Sequence, residues 1–165
     1  MTTVWQTIAD HLRAELAEYG ELLRLFEEQQ NSIFNREPDS VLHYANEIEA
    51  QAYRLAERRT ARETAVAEFA AAHGQPGSSS LRALLPLVEP DARPLIEALV
   101  NEVNALLHRV RRTSRHNQTL LTRTVEMNQE TMQQLRPQAF TKTYSPAGRV
   151  SVATNRPQST LQVTG

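Results

Sequence analysis

The sequence contains no cysteine, which excludes disulfide frameworks, thiolate nucleophiles and cysteine-ligated zinc together, and fits a reducing compartment. Aromatic residues make up only 5% of the 165 residues and glycine occurs five times, so neither a thick aromatic core nor a turn-rich sheet protein is expected. Charge of one sign is also missing. The formal net charge is −1, and no global field draws the chain to nucleic acid, membrane or acidic substrate. With a mean hydropathy of −0.50, no apolar run approaches the roughly 20 residues that span a bilayer. The opening Met1–Gln6 has neither the cationic nor the apolar region of a secretory leader. The expectation is a cytoplasmic protein with no direct membrane insertion. What remains is rich in Leu, Ala, Glu, Gln and Arg, the vocabulary of long helices.

The pattern along the chain agrees. Trp5, Ile8, Leu12, Leu16, Tyr19, Leu23, Phe26 and Ile33 recur at helical spacing over about residues 4–35 and predict a first amphipathic helix. Thr3-Val4-Trp5-Gln6 has the form of a capping box. Gly20 interrupts the stripe at a cost of about 1 kcal/mol relative to alanine. After a break around Pro38, where Asp39 or Ser40 is available as a cap, Val41, Tyr44, Ile48, Ala52, Leu55, Val66 and Phe69 mark a second helix. Its middle carries Arg59 and Arg62 in place of hydrophobes, and it should stop at Gly74. Leu81–Val88 predicts a short helix. From about Leu95 a third stripe runs through Leu99, Val103, Leu106, Val110, Thr113, Asn117, Leu120, Thr124, Met127 and Leu135, a helix roughly 60 Å long. The expected fold is all-α: an antiparallel bundle of three long helices with a short extra helix over residues 1–136. A disordered C-terminal tail over 137–165, rich in Thr, Ser, Gln and Pro, completes it.

No constellation for catalysis is apparent. A di-iron carboxylate bundle needs Glu-x-x-His pairs, yet Ile8, Ser40, Ala70, Ala105 and Thr113 stand three residues before the five histidines. A His-Glu-x-x-His zinc motif and a phosphate-binding loop are likewise missing. The expectation is a non-enzyme with no cofactor and no metal. The basic run His108–His116 is the one feature that suggests nucleic acid. Its arginines spread around a helix and no aromatics interleave for base stacking, so pairing with acids on neighbouring helices or plain solvation is the expected reading.

More is carried by polar residues at inward positions: Arg59 and Arg62 on the second helix, Thr113 and Asn117 on the third. A buried polar group without a partner costs a few kcal/mol. Either these residues fix helix register, or their faces are covered only when a partner is present. Beyond them, Leu120, Leu121, Val125, Met127, Met132 and Leu135 form a broad apolar surface mixed with Thr, Asn and Gln. Such a surface packs on the first two helices, on a second copy, or on a client helix; methionine would let it adapt to more than one ligand.

The stretches Asn117-Gln118-Thr119-Leu120-Leu121, Met127-Asn128-Gln129 and Leu135-Arg136-Pro137 resemble the late helix of FlgN-type flagellar export chaperones. Thr143-Tyr144-Ser145-Pro146-Ala147-Gly148-Arg149 resembles the family's Tyr-x-x-x-Gly tail element, and Leu55-Ala56-Glu57-Arg58-Arg59 its Leu-x-x-x-Arg patch. The resemblance implies a chaperone that binds flagellar hook-associated (hook–filament junction) proteins, prevents their premature assembly and delivers them to the membrane export gate of the flagellar type III apparatus. It implies client binding through Asn117, Leu120, Leu121, Val125, Asn128, Met132 and Leu135, and gate docking through Tyr144 and Gly148. The alternative reading is a non-enzymatic coiled-coil adaptor, with a homodimer as one form it would take.

Overall fold

The structure, a computed structural model, describes residues 4–135 and the backbone of residues 140–144 and 150–154. Helices α1 (Val4–Phe34), α2 (Pro38–Ala72) and α4 (Arg93–Leu135) are the three long elements; α3 (Leu81–Leu84) and a 3₁₀ turn (Leu85–Leu87) supply the short one. The expected helical architecture is therefore the observed one. The capping box expected at Thr3 lies outside the described residues.

Two compact units divide the chain, Met1–Gln118 and Thr119–Gly165. In the first, α2 runs back along α1: Gln51 reaches Glu18 and Arg62 reaches Glu15. α4 then returns in the direction of α1, since Leu95 shares a cavity wall with Trp5 while Asn117 meets Phe26. The arrangement is up–down–up.

Alternating steps of four and three bury Ile8, Leu12, Glu15, Tyr19, Leu22, Phe26, Gln29 and Ile33 of α1, the spacing of coiled-coil seams. From α4, Ile96, Leu99, Val103, Val110 and Asn117 are buried. Leu12 and Ile96 are wholly excluded from solvent; burying side chains of this size is worth about 1.5–3 kcal/mol each. Leu81, Leu84, Val88 and Ala92 close one end of the core.

The turns show how the chain reverses. Between α1 and α2, Arg36 takes a left-handed φ of 59°, and Glu37 N–H donates to the Ser32 carbonyl at 3.0 Å, a termination usually built on glycine. α2 starts two or three residues earlier than capping by Asp39 or Ser40 implied: Pro38 occupies the first turn, Glu37 precedes it without a side-chain cap, and Asp39 lies inside. Proline needs no donor there and its φ already suits a helix, so Asp39 and Ser40 are not needed as caps. Gly74, with φ 68°, follows α2 and its N–H donates to the Ala71 carbonyl, as the sequence led one to expect. Ser80 caps α3 by accepting from Ala83 N–H at 3.2 Å.

Within the stretch expected to form an unstructured tail, β1 (Phe140–Tyr144) pairs antiparallel with β2 (Val150–Thr154). Tyr144 stands opposite Val150 and Phe140 opposite Thr154. The strands hold β-branched and aromatic residues. An isolated two-stranded hairpin is only marginally stable in water, so the pairing is a small departure from the expected tail.

Candidate functional site

The inward polar residues divide into two kinds. Glu15 is 1% exposed and Arg62 Nε lies 2.8 Å from its Oε2, but the N–H does not point at the oxygen, so the contact is an ion pair rather than a hydrogen bond. Burial pushes the Glu15 carboxyl above its ordinary range, against the opposing pull of Arg62 and Arg59. The same desolvation, with Glu15 nearby, raises the Tyr19 phenol. Arg59, read as inward, instead pairs with Glu63 at 3.1 Å on the surface. Of the two arginines, Arg62 takes the place beside Glu15.

Asn117 is the second kind. At 1% exposure its Nδ2 donates to the Phe26 carbonyl at 2.8 Å and to Gln29 Oε1 at 3.1 Å. Thr113, one turn before it, is half-buried. The candidate client-binding role for Asn117 meets an obstacle here, because it is buried and its NH2 group is committed to α1, while its Oδ1 has no hydrogen-bond partner among the described residues. Gln51 of α2 is similarly engaged, donating to Glu18 Oε2 at 2.7 Å while accepting from Arg54.

The remaining candidates lie on the last third of α4, in the second unit. Leu121, Val125, Asn128, Met132 and Leu135 recur at steps of four and three and so share one face. Val125 is 53% exposed, Met132 54% and Leu135 77%; Asn128 is exposed, and Leu120 and Leu121 are half-buried. Met127, at 63%, belongs to the same surface although it is not among the residues the resemblance singles out. Its signal was the seam spacing, which continues Leu120 to Met127. Thr124 and Thr131 turn their hydroxyls onto the Leu120 and Met127 carbonyls at 2.9 Å, leaving the methyl to the surface. The face is about 21 Å long, apolar in its anchors and polar between them: the form that accepts an amphipathic helix.

Other chemistry finds little to stand on. Among the described residues no group of three or more His, Asp or Glu side chains is placed to hold a metal ion. No helix there is long and apolar enough to cross a membrane. A cavity of about 310 Å³ beside the start of α1 is lined by Trp5, Gln6, Ala9, Asp10, Arg13 and Leu95; its Asp10 and Arg13 neutralise each other at 2.8 Å. Tyr144 is described by backbone alone, in β1 opposite Val150, and Gly148 lies outside the described residues.

The family model described as FlgN protein matches residues 1–151. The chain belongs to the FlgN protein family. Membership covers the whole helical region and reaches into β2, and it makes the chain a flagellar export chaperone at the level of the family. A FlgN-family protein is thus a chaperone by kind, with a helical bundle suited to flagellum biogenesis. No curated protein and no solved structure matches the chain.

Proposed function

We propose that this FlgN-family chain is a cytoplasmic type III export chaperone for flagellar hook-associated proteins. It binds their C-terminal helical segments, prevents premature assembly and hands them to the membrane export gate. The observation that carries the reading is the exposed Leu121–Val125–Asn128–Met132–Leu135 face of α4. A client helix laid along it buries Val125, Met132 and Leu135, the residues whose exposure otherwise goes uncompensated. Leu120 and Met127 widen the contact, and the polarizable methionines let it accept related sequences. Ordering a mobile client segment lowers net affinity, which suits a protein that must let go.

Docking to the gate falls to Tyr144 and Gly148, outside the helical face. Titration calorimetry with the isolated C-terminal helical segments of the hook-associated proteins, and with filament and cap segments as controls, tests the client half. Saturable one-to-one binding to the hook-associated segments alone is expected. Leu121→Asp with Met132→Asp should abolish it while helicity stays intact; undiminished binding by the folded double variant overturns the assignment. Tyr144→Ala should preserve client affinity and weaken gate binding, and loss of client binding there refutes the division of labour.

A further inference from the structure

α4 carries its charge unevenly. Between Glu102 and Asn117 it holds Arg109, Arg111, Arg112 and Arg115. The first three are exposed and enter no ion pair among the described residues, so solvation rather than pairing describes them. From Thr119 to Leu135 the charged residues are Arg123, Glu126 and Glu130 alone, and all three are exposed. They recur at steps of three and four, and at about 100° per residue they fall within about 60° of one another. Leu121, Val125, Asn128, Met132 and Leu135 lie on the opposite side of the same helix.

The candidate client face is thus uncharged throughout. Thr122 and Gln129 edge it on one side, Thr124 and Thr131 on the other, and the last two hydroxyls are committed to their own helix. The nearest charges of α4 stand across the helix, about 10 Å away, a Debye length at about 0.1 M salt. A client charge set on this face would lose water and find no countercharge. Pairing of flanking charges, by which helices commonly choose partners, has nothing to act on here. Asn128 is what remains. It stands in the apolar row, three residues after Val125 and four before Met132, and is exposed. Its amide makes no hydrogen bond among the described residues. A helix covering the face buries that amide, and an apolar residue opposite would leave it unpaired, at a loss of about tenfold in affinity.

We propose, building on the client-binding reading of this face, that the client is an amphipathic helix with an uncharged contact surface and one neutral polar residue in register with Asn128. Selection works by a single amide pairing and not by charge, much as a lone asparagine in a coiled-coil seam fixes register. Val125, Met132 and Leu135 supply affinity that many helices could use. Asn128 rejects those that bring an apolar or charged residue to its level. With no charge on the face, encounter is unsteered and binding is indifferent to salt.

Titration calorimetry of the full chain with the C-terminal helical segments of the hook-associated proteins, repeated from about 0.05 to about 0.5 M salt, tests it. Affinity should change less than about threefold across that range. Asn128→Asp should lower it more than about tenfold by putting a charge on the face. Asn128→Leu should shrink the preference for these segments over filament and cap segments by about tenfold. Both variants should be as helical as the wild type by circular dichroism, since Asn128 is exposed. No binding of any hook-associated segment overturns the client reading and, with it, selection by Asn128. Binding that weakens with salt beyond that limit, an Asn128→Asp variant that binds undiminished, or a preference that survives Asn128→Leu overturns the charge-free selection and leaves the client reading standing.

Discussion

α4 before and after Asn117 behaves as two different helices made from one pattern. Up to Asn117 the seam positions Ile96, Val103 and Val110 are β-branched, buried and spaced by seven. After it the same positions fall on Thr124 and Thr131, whose hydroxyls turn back to their own helix, and the apolar residues move to the neighbouring row of Leu121, Val125, Met132 and Leu135. The early half is written for a permanent neighbour that tolerates no mismatch of shape. The late half spaces its hydrophobes among polar residues, adequate for a neighbour that comes and goes. Periodicity alone does not separate the two; the identity of the residue at each seam position does.

The comparison breaks first, and hardest, in the early half. Ile96→Ala, at a wholly buried site, should cost about 4 kcal/mol, read as a lower urea midpoint at unchanged slope. Met132→Ala, at 54% exposure, should stay within about 0.5 kcal/mol; a comparable loss there would mean that the late half is packed after all.

Arg62→Ala should cost about 3 kcal/mol by leaving the Glu15 carboxylate buried without its countercharge, whereas Glu15→Leu with Arg62→Leu should be neutral or stabilising. The sign of the pH effect follows from the raised Glu15 value. Glu15 favours the fold fully below its unfolded value, and this contribution is lost as pH rises through the raised folded value. Glu15→Gln should therefore match the wild type in acid and exceed it in stability above that window, as seen in unfolding curves measured across pH.

Asn117→Ala should cost about 2 kcal/mol by removing a second donor from the Phe26 carbonyl and leaving Gln29 Oε1 without its donor, without touching client affinity if client binding belongs to the late face alone. The smallest effect is at Gly20, where an added Cβ meets nothing within 4 Å. Gly20→Ala should raise stability by about 1 kcal/mol.

What the sequence made legible was the apolar frame. Trp5 through Ile33 gave α1, and the 3-4 steps from Leu99 to Leu135 gave α4, because hydrophobes recurring at that spacing line up on one face of a helix and scatter over both faces of a strand. The buried polar residues were harder. Glu15 and Gln29 read as solvent-facing by type, yet they fall on the four-three grid between Leu12 and Tyr19 and between Phe26 and Ile33. Interpolating the grid would have found them; composition hides them. Arg59 and Arg62 were indistinguishable until the position of Glu15 across the helix pair was known. At the candidate site, Val125, Met132 and Leu135 were identified by pattern, but their exposure was not. Exposure depends on what packs opposite those positions, and the spacing of hydrophobes along one helix is the same whether or not that face is covered. The β1–β2 pairing escaped because its strands are five residues each, too short for alternation to stand out.

Asn117 also works as a ruler. Sliding α4 by one heptad, about 10.5 Å, would bring Val110 or Thr124 to the place where the amide now meets Phe26 and Gln29, and would take the Asn117 donor away from Gln29 Oε1. Hydrophobic seams forgive such slips, since Ile96, Val103 and Val110 are near-equivalents; one amide does not.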